Sequence, residues 1–122
     1  MEELTLFCSQ GIPTAYLAPD EENTIYLWSG QPVAYLDGTD IYGFNGKHLG
    51  WFEHGIIWTH KGEQVGYVTE TLTVYPRFEP FKAFKQHKPF KAFKAFAPYK
   101  PFLSSNISKV ELSVFLNNGI EI

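Results

Sequence analysis

The sequence is short of several things, and each shortage closes off a class of answer. It has one cysteine, Cys8, which excludes an internal disulfide framework and a multi-cysteine zinc knot and suits a reducing compartment. No apolar run approaches the roughly 18 residues that span a bilayer as a helix. The chain opens on Glu2 and Glu3 instead of a basic segment and an apolar one, so no export signal is expected and the expected location is cytoplasmic. Cations are scarce over residues 1–76, where only Lys47 and Lys61 stand against ten carboxylates, a net −8. A chain of 122 residues leaves room for one modest domain.

What is present divides sharply. Residues 77–100 carry Arg77 and six lysines against Glu79, a net +6. An acidic body with a basic strap favours the strap lying on its own body, or on a neighbouring copy, ahead of an outside polyanion. Aromatic residues reach 17%, and most of them fall into two periodic patterns.

The first pattern has a period of 16. Residues 25–40 read IYLWSGQPVAYLDGTD, residues 41–56 read IYGFNGKHLGWFEHGI, and residues 57–68 read IWTHKGEQVGYV. An earlier copy, LFCSQGIPTAYLAPDE, occupies residues 6–21, set off by a three-residue insertion at Glu22–Thr24. Columns one and two are Leu6, Ile25, Ile41, Ile57 and Phe7, Tyr26, Tyr42, Trp58, residue types that suit a pleated, half-buried surface. Column six is glycine in all four copies, Gly11, Gly30, Gly46 and Gly62, which suits a tight hairpin with positive φ. Columns nine to twelve return as a second strand, with only Ala or Gly at column ten (Ala15, Ala34, Gly50, Gly66), which implies close approach of a backbone or a ring.

The expectation is an all-β fold of four tandem short hairpins about a pseudo-fourfold axis, because an isolated hairpin is marginal in water. A two-residue turn over columns five and six would put columns 2, 4, 9 and 11 on one face and 1, 3, 10 and 12 on the other. Both faces are apolar, so one closes around the axis and the other needs a cover, for which the strap is the candidate. The strings IYLWSGQPVAYL and YGFNGKHLGWFEHGII resemble the bacterial four-fold beta flower family, whose repeats form hairpin petals. The resemblance covers about the first 75 residues. It implies the fold and a bacterial setting, and assigns no activity, cofactor or catalytic residue.

The second pattern has a period of three. Aromatic residues occupy Tyr75, Phe78, Phe81, Phe84, Phe90, Phe93, Phe96, Tyr99 and Phe102, with His87 in the remaining slot. Lysines follow at Lys82, Lys85, Lys88, Lys91, Lys94 and Lys100, and proline or alanine fills most third positions. A nine-residue register also shows in EPFKAFKQH, KPFKAFKAF and APYKPFLSS. Three residues per turn is the polyproline II repeat, and an α-helix through Pro80, Pro89, Pro98 and Pro101 would break repeatedly. The expected strap is a three-sided rod over 77–103, between a body at 1–76 and a C-terminal segment at 104–122. Nine bare rings are costly for a soluble monomer, so the aromatic ridge is expected to be covered. In the tail, Ser108 and Glu111 have capping-box spacing and Asn118-Gly119 suits a helix stop, whereas Val110, Leu112, Val114 and Leu116 alternate like a strand; a short helix is the preferred reading.

Sharper chemistry has weaker support. Interleaved Phe and Lys can stack bases and contact phosphates, but the complementary body favours self-docking. Aromatic hairpin repeats can present platforms for carbohydrate, although alternation with small residues favours a core role. His48, Glu53, His54 and His60 are metal-ligand types in different columns (8, 13, 14 and 4), so repeat symmetry does not gather them. Asp37, Asp40, Glu53 and Glu70 fit solvated petal edges better than an acid-base pair, and Cys8 lacks a nucleophile's signature.

The expected function is therefore binding or assembly without catalysis and without a cofactor. The partner would be a second copy or another protein, with nucleic acid or an anionic surface as the alternative and carbohydrate as a further one. The strap residues expected to make contact are Phe81, Lys82, Phe84, Lys85, Phe90, Lys91, Phe93, Lys94, Phe96, Tyr99 and Lys100.

Overall fold

Strand-forming residues at both ends of each repeat do become strands. The computed structural model describes residues 2–121 and contains β1 (Leu4–Phe7), β2 (Pro13–Leu17), β3 (Thr24–Leu27), β4 (Pro32–Asp37), β5 (Asp40–Gly43), β6 (His48–Glu53), β7 (Ile56–Trp58) and β8 (Gln64–Tyr67). They form a closed antiparallel barrel in chain order, completed by Phe7 of β1 opposite Tyr67 of β8. Closure gives every strand two neighbours, although β1 and β8 meet at this one residue pair. A 3₁₀ turn at Thr69–Thr71 leads away from the barrel and α1 (Leu112–Asn117) ends it.

The petal turns are one residue longer than expected. Gly30 N–H donates to Leu27 O at 2.8 Å and Leu27 N–H to Gln31 O at 2.9 Å, and the other three petals repeat the arrangement. Columns four to six form a three-residue loop with glycine in the left-handed position. A register shift follows at the same place in each petal, after Leu6, Ile25, Ile41 and Ile57. This bulge turns column nine inward, so Val33, Leu49 and Val65 join Leu6, Ala15, Ile25, Ala34, Ile41 and Ile57 in the barrel interior. The two-residue turn had assigned column nine to the outer face.

The interior is stoppered by the chain's own end. Leu112, Phe115 and Leu116 of α1 are buried in the same cluster as the column-one residues. Small residues at column ten make the room: a Cβ on Gly66 would lie 3.0 Å from Leu112 Cδ1, and one on Gly50 would lie 3.0 Å from Phe115 Cζ. The helix begins at N-cap Glu111 without a side-chain cap, and Ser108 Oγ instead accepts from Val110 N–H at 3.1 Å, so the expected capping box is absent.

Candidate interaction surface

Columns two and eleven build the outer wall of the barrel. Tyr16 and Tyr26 stack at 5.5 Å between ring centroids and Tyr35 and Tyr42 at 6.2 Å, all nearly buried. What covers them is the strap, which has no helix or strand from Tyr75 to Leu103.

The strap repeats every nine residues in step with the petals. N–H groups of Arg77, Gln86, Ala95 and Ser104 donate to the carbonyls of Gly11, Gly30, Gly46 and Gly62. Ala83 and Ala92 donate likewise to Trp28 and Phe44 at 3.1 and 2.8 Å; nine residues further stands Pro101, which has no N–H to give. Trp28 Nε1 donates to Pro80 O at 3.0 Å and the Tyr42 hydroxyl to Ala95 O at 2.8 Å. Beyond the strap, Gln64 and Ile107 form a parallel bridge.

Lysines face the body. Lys82 and Lys85 reach Glu3 at 2.9 and 2.5 Å, Lys88 and Lys91 reach Glu22 at 2.6 and 2.9 Å, Lys94 pairs with Asp37, and Lys100 reaches Glu53 at 2.6 Å. On the way their Nζ atoms cross aromatic faces, with Lys82 over Tyr16 at 4.7 Å and Lys91 over Tyr35 at 4.2 Å. Such cation–π contacts contribute about 0.5–1 kcal/mol each at exposed sites.

The aromatic ridge overturns the expectation of a cover within the chain. Tyr75, Phe78, Phe81, Phe84, Phe90, Phe93, Phe96, Tyr99 and Phe102 are each between 87% and 104% exposed. The rings therefore stand on a side of the strap away from the barrel, while the lysines between them dock. The lysines among the expected contacts are therefore the ones that touch the body, while the rings form a bare belt around it.

Charge makes this docking pH-dependent. Burial raises the carboxyls of Glu3 and Asp20, but Lys85 and Lys82 at Glu3, and Thr24 and Lys88 at Asp20, outweigh it and leave both below the usual range; Lys88 and Lys91 lower Glu22. Carboxyls depressed on folding stabilise above their unfolded pKa of about 4 and lose that contribution as pH falls through the depressed value. Lys85 and Lys88 are raised by Glu3 and Glu22, so their share persists below the ordinary lysine pKa and disappears as pH climbs past the raised one. Each exposed pair contributes about 0–1 kcal/mol. Protection factors of the amides of Ala83, Gln86, Ala92 and Ala95 should fall below about pH 4 before those of the barrel amides; strap amides that keep their protection down to barrel unfolding would contradict this.

One seam differs from the others. His48 Nδ1 lies 2.9 Å from His60 Nε2, and His48 Nε2 lies 2.9 Å from Asp40 Oδ1. The expectation that symmetry keeps these histidines apart fails because column eight of one petal faces column four of the next. With both imidazoles neutral, Asp40 accepts from His48 Nε2–H and His48 Nδ1 accepts from His60 Nε2–H, which leaves His60 Nδ1 as an acceptor. Burial, with the neighbouring His48 ring, pushes the His60 pKa down. Glu53 and His54 stand elsewhere, on Lys100 and in a left-handed turn position, and among the described residues no three His, Cys, Asp or Glu side chains converge on a metal position. Cys8 packs against the barrel core, and Glu70 lies exposed in the 3₁₀ turn. Asp40 was foreseen only as a solvated edge residue; comparing columns across the seam between petals, instead of down each column, would have found its link to the histidines.

Petals, strap and helix together match a protein-family model described as 4-fold beta flower protein over residues 4–116. The chain belongs to that family. The match takes in the strap and most of α1 as well as the barrel, so these parts of the beta flower fall inside the family's own extent. Neither a curated protein nor a solved structure matches the chain. No helix of this beta flower is long and apolar enough to cross a membrane among the described residues.

Proposed function

We propose that the chain is a non-enzymatic assembly module whose aromatic belt is buried against a second copy. The observation that carries this reading is the bare ridge of nine rings beside lysines already engaged on the body. Rings of this type bury about 150–250 Å² each, so even part of the belt exceeds the roughly 800 Å² per partner of a standard interface. The same geometry counts against a polyanion as the partner, because the strap's six lysines are already matched to carboxylates and little counterion release is left to drive binding.

Light scattering on the intact chain tests the proposal against the triple variant Phe81→Ser, Phe90→Ser, Phe93→Ser. The intact chain should scatter as a multiple of 14.0 kDa, and the variant as a monomer with an unchanged circular dichroism spectrum. A monomeric intact chain, or a variant that assembles equally well, would refute the proposal, and steeply salt-dependent binding of single-stranded DNA would transfer support to the polyanion reading.

A further inference from the structure

Repeat symmetry gives each seam between petals an internal comparison with the other three. The seam is framed by columns seven and eight of one petal and columns four and five of the next. From the first petal to the second those residues are Ile12, Pro13, Trp28 and Ser29; from the second to the third, Gln31, Pro32, Phe44 and Asn45; from the fourth back to the first, Glu63, Gln64, Ser9 and Gln10. Between the third and fourth petals they are Lys47, His48, His60 and Lys61. Both cations of the acidic body thus stand at one seam, on either side of the two histidines in contact among the described residues.

These four side chains line a cavity of about 370 Å³ that Thr59, Asn118 and Ser108 supply with polar groups and whose inner wall is Leu49 and Phe115, both buried. Lys47 and Lys61 make no ion pair among the described residues, although the chain is rich in carboxylates and the strap lysines are paired. A second cavity, on the strap side, shares Lys47, His48 and His60 and is framed by Phe96, Pro98 and Tyr99.

We infer that the seam between the third and fourth petals is a binding site for a phosphate group, free or carried on a small ester. Lys47 and Lys61 supply two positive charges for a dianion. His60 receives a proton on Nδ1, or donates from it once protonated, while His48 and Asp40 hold the ring's orientation through Nε2. Glu63 lines the cavity and opposes the anion, and Asp40 reaches the site through His48, where it balances an imidazolium. The adjoining cavity between Phe96 and Tyr99 has room for the remainder of an ester.

Isothermal titration of the full chain at pH 7 and constant ionic strength, with inorganic phosphate in one arm and phenyl phosphate in the other, tests the inference. Saturable one-to-one binding in either arm supports it, and the tighter arm identifies the source of the phosphate. Replacing both cations, Lys47→Gln with Lys61→Gln, should weaken binding at least about tenfold, whereas Lys109→Gln, which neutralises one lysine beyond this cavity, should leave it within about twofold. A phosphate-induced rise in the His60 titration midpoint, read by NMR, should accompany binding, and His60→Gln should weaken binding while retaining partial affinity. Absence of binding in both arms at millimolar ligand, or equal affinity in the double variant, overturns the site. Should the double variant lose its native spectrum, shifts on the unaltered chain decide: perturbations centred on residues 47, 48, 60 and 61 support the site, and perturbations spread over the strap lysines overturn it.

Discussion

Alanine at both Gly30 and Gly46 should strip the strap from the barrel. Both glycines have strongly positive φ, 90° and 89°, where a Cβ adds roughly 1–2 kcal/mol of strain. The strap adds a second constraint, since a Cβ on Gly30 would collide with the carbonyl of Phe84 and one on Gly46 with that of Phe93. Neither obstacle is a side-chain end that can swing aside. Gly38 separates the two effects: its φ is 63° but nothing lies within 4 Å of its Cβ position. Gly38→Ala should lower stability by about 1 kcal/mol and leave the strap protected. The double variant should lose several kcal/mol, from a total of roughly 5–15 for a domain, and should expose Lys85, Lys91 and Lys94 to trypsin. Equal trypsin resistance in both variants would mean that the strap does not depend on the turns.

Leu116→Ala should be the most damaging single truncation. Its side chain is fully buried among the column-one residues, and emptying such a position costs about 2–5 kcal/mol because the surrounding wall cannot close in. A closed barrel is a poor candidate for such collapse, since every strand is tied to two neighbours. The expected fall in Tm is on the order of 10 °C. Phe81→Ala, which removes a larger but fully exposed ring, should move the monomer's Tm within about 1 kcal/mol equivalent. A reversed order of these two effects would mean that α1 does not fill the barrel.

The hairpin count and the glycine of each petal turn were legible because each rests on a local requirement that recurs. Four glycines at one column are hard to read otherwise, and prolines every few residues exclude an α-rod. Which side of the rod faces inward was not legible. Hydrophobic reasoning puts Phe84 and Phe93 against the body, yet the wall they would meet is already built of Tyr16, Tyr26, Tyr35 and Tyr42, which offer π-faces to cations and stand near Glu3, Glu22 and Asp37. Lysine fits that wall better than a further ring does. The bulge was equally hidden, because a one-residue difference in turn length changes no residue type and only re-aims Val33, Leu49 and Val65. The histidine seam was not legible because it breaks the repeat: no column carries it, and it forms only where column eight of one petal meets column four of the next.

The matched periods of sixteen and nine tie the two halves of the chain together like the scales of a vernier. A tenth residue inserted into one strap unit would rotate everything beyond it by about a third of a turn on a three-residue rod, sending rings inward and lysines out. Duplicating a petal without adding nine strap residues would leave one turn glycine unvisited. Lineages that lengthen or shorten this molecule must therefore change both halves in the same step, or carry a half-wrapped intermediate whose freed cations are open to any polyanion they meet.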